Sequence, residues 1–582
     1  MQDDSHPSPD ASHERRSHSW IIPGTLLALC VTTGAAFFLA AKHRSDIPFS
    51  AASPSEPMRG GIFRFPIWER SVQTLDPARA TTASEIMLVQ QIYDGLTAFD
   101  QHLNIVPALA EYWEISPDGK NYTFELREEA RFHNGEPVTA EDCVFSFERL
   151  LSAGLNEANF HYFTRIVGAE DFRAGRVNNV AGLKAVGERT FQIRFSTPFV
   201  PALSVLSMYS SKILPKKEVL AKGDDFFNAP IGTGPFRFSR WIDEEEDPAI
   251  PYFHGVPQGI RLEANAHHFA GRPYLDGVTF RAIWNAPGAE EEKPLNELVD
   301  CIETPIEEYY DWVRVETDKL LALNYYILPS HVPPYDDPRI RRAINFALDK
   351  RSLLDASPFT AGTPAATGIV PPGIPGFLPM EAPYKHNVEQ SKRLLAQAGF
   401  PEGQGLPALE VLVFGRENPL FESRRKCLTD CMSGVNLQVK PFKVKRVLSL
   451  DDPALRDRPI LLDHGWVADF PDPDNFLRVL FHSASPMNRS GYSNREVDRL
   501  LDLAWSETSY KERNDIYRRI EKMILRDSPI IPLDYDRSQF LVRPNVRGFT
   551  LSPMDYPYIK MNKIWLEQPE PEEPRSPRTK DL

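Results

Sequence analysis

Short runs in which apolar and polar positions alternate recur along the chain, at Ile62 to Phe65, Tyr122 to Leu126 and Thr190 to Phe195. A period of two places every second side chain on one face, so these runs predict half-buried strands. Between them lie segments with the 3.6-residue period of a helix. The clearest covers Lys511 to Arg526, where Tyr517, Ile520, Ile524 and Leu525 form an apolar stripe and charged residues fill the other face. A second helix is predicted after Pro338, with Ile340, Ala343, Ile344 and Ala347 sharing a face. A third runs over Val388 to Gly399, with Gly399 and Pro401 as its stop. Because strands and helices are interspersed, the body is expected to be α/β. No internal repeat of solenoid length, ~20–50 residues, is visible.

The pattern breaks down at both ends. After a short polar segment, 1–19, the run from Trp20 to Ala41 has 22 residues without an ionisable side chain. That is long enough to cross a ~30 Å hydrocarbon core as a helix, so 20–41 reads as a transmembrane anchor or a signal sequence. A cleavable signal has a shorter apolar stretch of ~7–15 residues and a small-residue cleavage site. Here the run passes straight into Lys42, His43 and Arg44, which favours an uncleaved anchor. Leu27-Ala28-Leu29-Cys30 looks superficially like a lipoprotein box, but Leu29 is bulky where a small residue is expected. Arg15 and Arg16 before the span balance Lys42 and Arg44 after it, so charge does not orient it. Residues 42–58 carry Pro48, Pro54 and Pro57 among Ser and Ala, as an extended linker would. Residues 567–582 are Pro-rich, charged and almost free of apolar residues, which predicts a disordered tail.

A chain of 582 residues is too long for one core, since single cores stop growing near ~250–300 residues, so two or three lobes are expected. Its net charge of −14 is spread along the sequence, with no basic footprint for nucleic acid. The five cysteines lack both metal-finger spacing and the density of a disulfide framework. Cys427 and Cys431 fall four apart on a predicted helix, where a thiol pair packs or forms a reversible disulfide. No G-x-S-x-G, H-E-x-x-H, P-loop or G-x-G-x-x-G motif occurs, and His267-His268 has no spaced partners for a metal.

Several blocks carry a resemblance. Gly60-Gly61-Ile62-Phe63-Arg64, Leu75-Asp76-Pro77 and Ile92-Tyr93-Asp94-Gly95-Leu96 come first. Then follow Pro107-Ala108-Leu109-Ala110, Trp113, Pro117-Asp118-Gly119-Lys120, Tyr122-Thr123-Phe124, and the long stretch from Phe132-His133-Asn134-Gly135 to Asp142. Later blocks are Gly232-Thr233-Gly234-Pro235-Phe236, Pro338-Arg339-Ile340-Arg341-Arg342-Ala343-Ile344, Trp466 through Phe476, and Pro529-Ile530-Ile531-Pro532-Leu533. In this order they resemble the extracytoplasmic solute-binding proteins of peptide and nickel ABC importers, from Gly60 to about residue 565. Some blocks also have plain physical readings. Pro117-Asp118-Gly119-Lys120 is a turn, and Thr139 with Asp142 is a helix N-cap with an acid in its first turn. The same turn and cap chemistry accounts for the acids and His133 between Phe132 and Asp142.

The resemblance implies a periplasmic-binding-protein type II-like, three-lobed clamp with mixed sheets and two inter-lobe crossings. The first lobe would combine 59–95, 228–320 and 536–566; the second would be 96–227; the third, 321–535, would bear much of the ligand cleft. Hinge closure would bury the ligand. It further implies a periplasmic or cell-envelope monomer without cofactor, metal or catalytic residue, serving an ABC permease and its ATPase. Asp469 matches the aspartate that peptide-binding members pair with the ligand's free α-amino group, because a buried ammonium needs a counter-charge and acceptors. Trp466 and the pair Tyr325-Tyr326 are the next candidates, as apolar walls with polar tips. Asp472 and Asp474 read as turn formers beside Pro471 and Pro473.

Three departures bear on the ligand. Pro329-Ser330 stands where the family usually has an asparagine, Asp243 to Pro257 reads as an acidic surface insertion, and Glu290 to Trp312 is short. No arginine that would pair a peptide's carboxylate is identified. Other expectations are another solute on the same fold (a nickel chelate, haem, an oligosaccharide or an opine-like amine) or a membrane-anchored ligand sensor.

Overall fold

The computed structural model describes residues 56–567 apart from 68–71, 156–158, 243–258, 283–298, 304–312, 318–319, 358–359, 376, 378–379, 382, 415–418, 445–454 and 456–457. The predicted anchor, most of the linker and the tail beyond 567 lie outside the described residues, as do the acidic insertion and most of Glu290 to Trp312. Among the described residues no helix is long and apolar enough to cross a membrane.

The alternating runs are strands. Ile62–Ile67 lies parallel to Gly277–Ala282, which continues antiparallel through Gly259–Ala264 to Phe236–Ile242. Its alternate residues Phe63, Phe65 and Ile67 are buried, and the Phe65 ring meets Phe280, Phe540 and Tyr556 at 5.9–6.0 Å between centroids. A second, antiparallel sheet has the order Ala110–Ile115, Asn121–Leu126, Thr190–Arg194, Leu183–Ala185. Its first hairpin turns at Pro117 to Lys120, where Gly119 takes φ +67°. The helix Ala140–Leu151 packs on this sheet and begins with a full capping box: Asp142 N donates to Thr139 Oγ1, and Thr139 N to Asp142 Oδ2.

The third sheet carries the candidate residues. It runs Val439–Val444, Leu409–Phe414, Ile460–Val467, Ala322–Ile327, Ile530–Asp534, parallel through the first three strands and antiparallel thereafter. Pro532 is tolerated because its strand is at the edge. Two strand pairs leave this sheet side by side. Val313–Thr317 leads into Ala322–Ile327, and Ile530–Asp534 leads out to Ser538–Val542, and the far members pair with each other and with Cys301–Glu303 in a separate three-stranded sheet. This mixed α/β architecture with two crossings is that of a clamp.

Three apolar cores result. One draws together residues 63–93, 209–301 and 540–564. Another joins 96–213 to 321–327, Trp466, the helices Asp474–Phe481 and Tyr510–Asp527, and Tyr558. The last packs Tyr326 against the helices Pro338–Ala347, Val388–Gln397 and Pro419–Ser433. Cys427 and Cys431 are free thiols on that last helix, packed against this core.

The helix predicted over Lys511 to Arg526 spans Tyr510–Asp527, and its stripe of Tyr517, Ile520, Ile524 and Leu525 is buried. Its charged residues do not all face water. Glu521 is fully buried and accepts the amides of Ile369 and Val370 at 2.6 and 3.1 Å. Arg513 is buried too, in a two-point ion pair with Asp472 at 2.8 and 3.0 Å.

Candidate functional site

The strand Ile460–Val467 ends in the segment Ala468 to Pro473, which feeds the helix Asp474–Phe481. Every residue of that helix is buried, polar ones included. Asn475 is fully buried and organises the loop before it. Its Oδ1 accepts the Trp466 indole N–H and the Asp469 backbone N–H, each at 3.0 Å. Its Nδ2 donates to Tyr162 Oη at 2.9 Å and to Asp469 Oδ2 at 3.3 Å. One amide therefore fixes strand end, loop and carboxylate together. Such an amide inside a uniformly buried helix is the signal in the sequence for a positioning residue.

Asp472 and Asp474 act by more than turn chemistry. Asp472 Oδ1 does accept the Asp474 amide at 2.9 Å. But Asp472 is also the partner of buried Arg513, while fully buried Asp474 meets Arg478 at 3.2 Å, the Trp505 indole N–H at 2.6 Å and the Tyr517 hydroxyl at 3.1 Å. A buried polar network in which partners are matched holds a single geometry, and this one lies directly behind the Asp469 loop.

Asp469 is half-buried. Burial pushes its carboxyl up to about 6, against the pull of the Asn475 amide. Among the described residues no Lys, Arg or His forms an ion pair with it. Its surroundings are phenols from remote parts of the chain. Tyr162 shares the Asn475 amide, and Tyr558 Oη donates to the Asp469 carbonyl oxygen at 3.2 Å. Tyr209, held by Asn159 at 2.9 Å, also feels the Asp469 charge, which together with burial raises all three phenols. A lone carboxylate ringed by hydroxyls and aromatic faces offers a cation a counter-charge and an apolar wall.

The other predicted residues fall differently. Trp466 is 8% exposed, with its indole N–H committed to Asn475, so it orients the loop. Tyr325 and Tyr326 are successive strand residues and point to opposite faces. Tyr325 pairs with His464 in register, on the Trp466 face, with the two rings 5.4 Å apart. Tyr326 faces the last core and pairs in register with Asp463. The structure thus joins Trp466 to Asp469 through Asn475, and the two tyrosines are buried to either side of the sheet.

His133 has a folding role. Its Nδ1 accepts the Gly232 amide at 3.2 Å and its Nε2 meets the Gly234 carbonyl at 3.0 Å, with burial lowering its pKa to about 4. Gly232 is required there, because a Cβ would overlap the Ile92 carbonyl. His268 meets Asp94 at 3.2 Å.

Comparison with known proteins bears on the family and the fold. Residues 104–488 match the model of the bacterial extracellular solute-binding proteins, family 5. The haem-binding protein A of Haemophilus influenzae is 27% identical over 497 residues, covering 80% of this chain and 86% of that protein. The periplasmic oligopeptide-binding protein of Salmonella typhimurium is 27% identical over 517 residues, covering 84% and 90%. Among solved structures, the ABC transporter-associated periplasmic binding protein of Helicobacter pylori in complex with the peptide STSA superposes with a TM-score of 0.69 at 25% identity, covering 88% of this chain and 99% of that one.

Proposed function

This chain belongs to the bacterial extracellular solute-binding proteins of family 5, a family of binding proteins and not of enzymes, and from that premise we propose that it captures small peptides by their free amino end for an ABC importer. The observation that carries the reading is Asp469: a carboxylate raised by burial, fixed by Asn475, and without a cation among the described residues. A ligand ammonium would supply the missing charge and restore full ionisation. The phenols of Tyr162, Tyr209 and Tyr558 would line the same pocket, with Trp466 positioning the loop and Tyr325 supporting it from the sheet. Relatives named for peptides, such as the oligopeptide-binding protein, support this choice of ligand. Haem and deoxycholate, for which other relatives are named, carry carboxylates that an unpaired Asp469 repels.

The lobes of the clamp are 59–95 with 228–320 and 536–566, then 96–227, then 321–535. The core that draws together 63–93, 236–301 and 540–564 supports the first grouping, although the same core also takes in Tyr209, Leu214, Val219, Phe226 and Phe227 from the end of 96–227. The apolar run 20–41 tethers the protein to the inner membrane, facing the periplasm, where it acts as a monomer with a permease and its ATPase.

The test is a calorimetric comparison of trialanine with N-acetyl-trialanine. The free peptide binds and the acetylated one does not. Equal binding of both, or of neither, removes the α-amino reading.

A further inference from the structure

Residues 96–227 and 321–535 are separated in the chain by 228–320, yet side chains of both share one apolar core. Among the described residues no closely packed pair of helices or strands joins the two. One set of joining contacts is beside Asp469, where Tyr162 meets Asn475 and the Phe470 ring. Another is centred on an indole. Trp505 lies on the helix Arg495–Ser506 and is 5% exposed. The Phe199 ring meets it edge-on at 5.2 Å between centroids, and the Arg165 guanidinium lies 4.6 Å from the ring centroid. The Val200 N–H donates to the Trp505 carbonyl oxygen at 3.0 Å, and Arg165 Nη1 donates to Ser506 Oγ at 3.4 Å.

Each half of this contact is held from its own side. Arg165 Nη1 donates to Thr197 Oγ1, and the Arg165 carbonyl accepts the Ser196 amide at 2.8 Å, which ties the guanidinium to the turn that carries Phe199. Trp505 donates its indole N–H to Asp474 Oδ2 at 2.6 Å. Arg478, ion-paired with Asp474 at 3.2 Å and Asp502 at 3.1 Å, lies 3.8 Å from the same ring. Surfaces fixed before they meet lose little side-chain freedom on meeting. A guanidinium over an indole is drawn to it by the ring quadrupole, and Trp is the best of the aromatic faces for this.

The contact is coupled to the Asp469 loop from both sides. Arg165 lies three residues after Tyr162, whose hydroxyl takes the Asn475 amide. Asp474, which holds Trp505, precedes Asn475 in the helix Asp474–Phe481. A rotation at the two strand crossings that parts Arg165 from Trp505 would therefore part Tyr162 from Asn475 as well. Both contacts are made by the chain's own groups.

We propose that Arg165, Phe199 and the Val200 amide latch onto Trp505 and hold the clamp shut whether or not its cleft is filled, so that this latch sets how fast a ligand enters and leaves. Because it stabilises the empty and the filled closed forms alike, it slows both steps and leaves affinity nearly unchanged. The inference rests on the clamp architecture, and peptide binding enters only as one readout.

The experiment follows hydrogen exchange at the Val200 amide and small-angle scattering of the whole chain without ligand, then stopped-flow binding of trialanine. It compares the parent with Arg165→Ala, Arg165→Lys and Arg458→Ala. Arg458 stacks on Phe442 at 4.3 Å within 321–535 and serves as the control. Arg165→Ala is expected to speed exchange at Val200 by about tenfold and to enlarge the radius of gyration. It should raise the association and dissociation rates by about tenfold each, with a much smaller change in their ratio. Arg165→Lys falls between, because an ammonium keeps the charge without the stacking plane, and Arg458→Ala matches the parent. Unchanged exchange at Val200 and unchanged scattering in Arg165→Ala overturn the latch. So does faster exchange that extends through the strand Asn121–Leu126, which marks an arginine needed for folding alone. Faster dissociation with association unchanged overturns closure of the empty clamp. A parent that binds no trialanine overturns the peptide reading, and exchange at Val200 then decides the latch by itself.

Discussion

The hydroxyl of Tyr558 donates to the backbone carbonyl of Asp469 at 3.2 Å, across 89 positions of chain. Tyr558 follows the three-stranded sheet, and Asp469 follows a strand of the five-stranded one. Tyr162 reaches the same loop from the antiparallel sheet region through Asn475. Three parts of the molecule therefore meet at the Asp469 loop. Moving these parts of the chain apart would break these contacts, so the surroundings of Asp469 depend on their present arrangement, and a ligand that prefers this arrangement would stabilise it.

Removal of the Asp469 charge should separate binding from folding. Asp469→Asn is expected to weaken binding of a peptide ammonium by about 100-fold or more, the usual range for truncating one partner of a buried charge pair. Stability moves the other way. The folded carboxyl is raised from 3.8 to about 6. The folded chain therefore holds the proton more tightly than the unfolded one. This group's contribution is most favourable below about pH 4 and is lost as pH rises through 6. The amide variant lacks that slope. Thermal melts should show it a few degrees more stable than the parent at pH 8, with the two converging near pH 4. A variant that loses stability along with binding would make Asp469 a structural acid.

The same carboxyl sets the pH dependence of capture. Above about pH 6 it is ionised and ready for a cation; below that it is neutral. Affinity for trialanine should peak near pH 7, fall by about tenfold for each unit below 6 as the carboxyl takes up its proton, and fall again above about 8 as the peptide's own α-amino group loses its charge. Binding near pH 6 should release protons, which calorimetry in buffers of different ionisation enthalpy detects. Proton uptake on binding would contradict the assignment.

Local signals in the sequence carried much of the fold. The Pro117 to Lys120 turn, the Thr139 cap and the stripes on the helices Pro338–Ala347 and Tyr510–Asp527 are set by residues within a few positions of each other, and the structure places them accordingly. The charged residues were less legible. Asp472 reads as a turn former because its partner, Arg513, lies 41 positions away. Glu521 interrupts an apolar stripe for amides about 150 positions away. Asp469 came from its motif, but its neighbours Tyr162, Tyr209 and Tyr558 lie 307, 260 and 89 positions from it, and no periodicity links them. The opposite facing of Tyr325 and Tyr326 follows from strand alternation alone.

Asn475 is the hinge-pin of the loop by its hydrogen bonds. Asn475→Leu keeps the volume but leaves the Trp466 N–H, the Asp469 N–H and the Tyr162 hydroxyl without this partner. Each unsatisfied buried group costs about 1–3 kcal/mol. Melting temperature should drop by several degrees at pH 7, and trialanine affinity should fall as well, since Asp469 loses its orienting amide. Retention of full affinity in the folded fraction would show that the loop is positioned without it.

The Arg513–Asp472 pair gives the opposite signature from Asp469. Both side chains are largely enclosed, at 7% and 12% exposed, and Arg513 also donates to the Ala504 carbonyl at 2.9 Å and to Tyr517 Oη at 2.8 Å. Asp472→Asn strands a buried guanidinium, an error that costs about 3–5 kcal/mol. Replacing both partners, as in Asp472→Leu with Arg513→Met, removes the stranded charge along with the pair and should recover much of that loss. A double-mutant cycle by denaturant unfolding therefore predicts a coupling of several kcal/mol between the two positions. Trialanine affinity, measured on the folded fraction of each variant, should change far less than in Asp469→Asn, because this pair braces the loop from behind. Additive effects of the two substitutions would mean that the contact contributes nothing to the rigidity assigned to it.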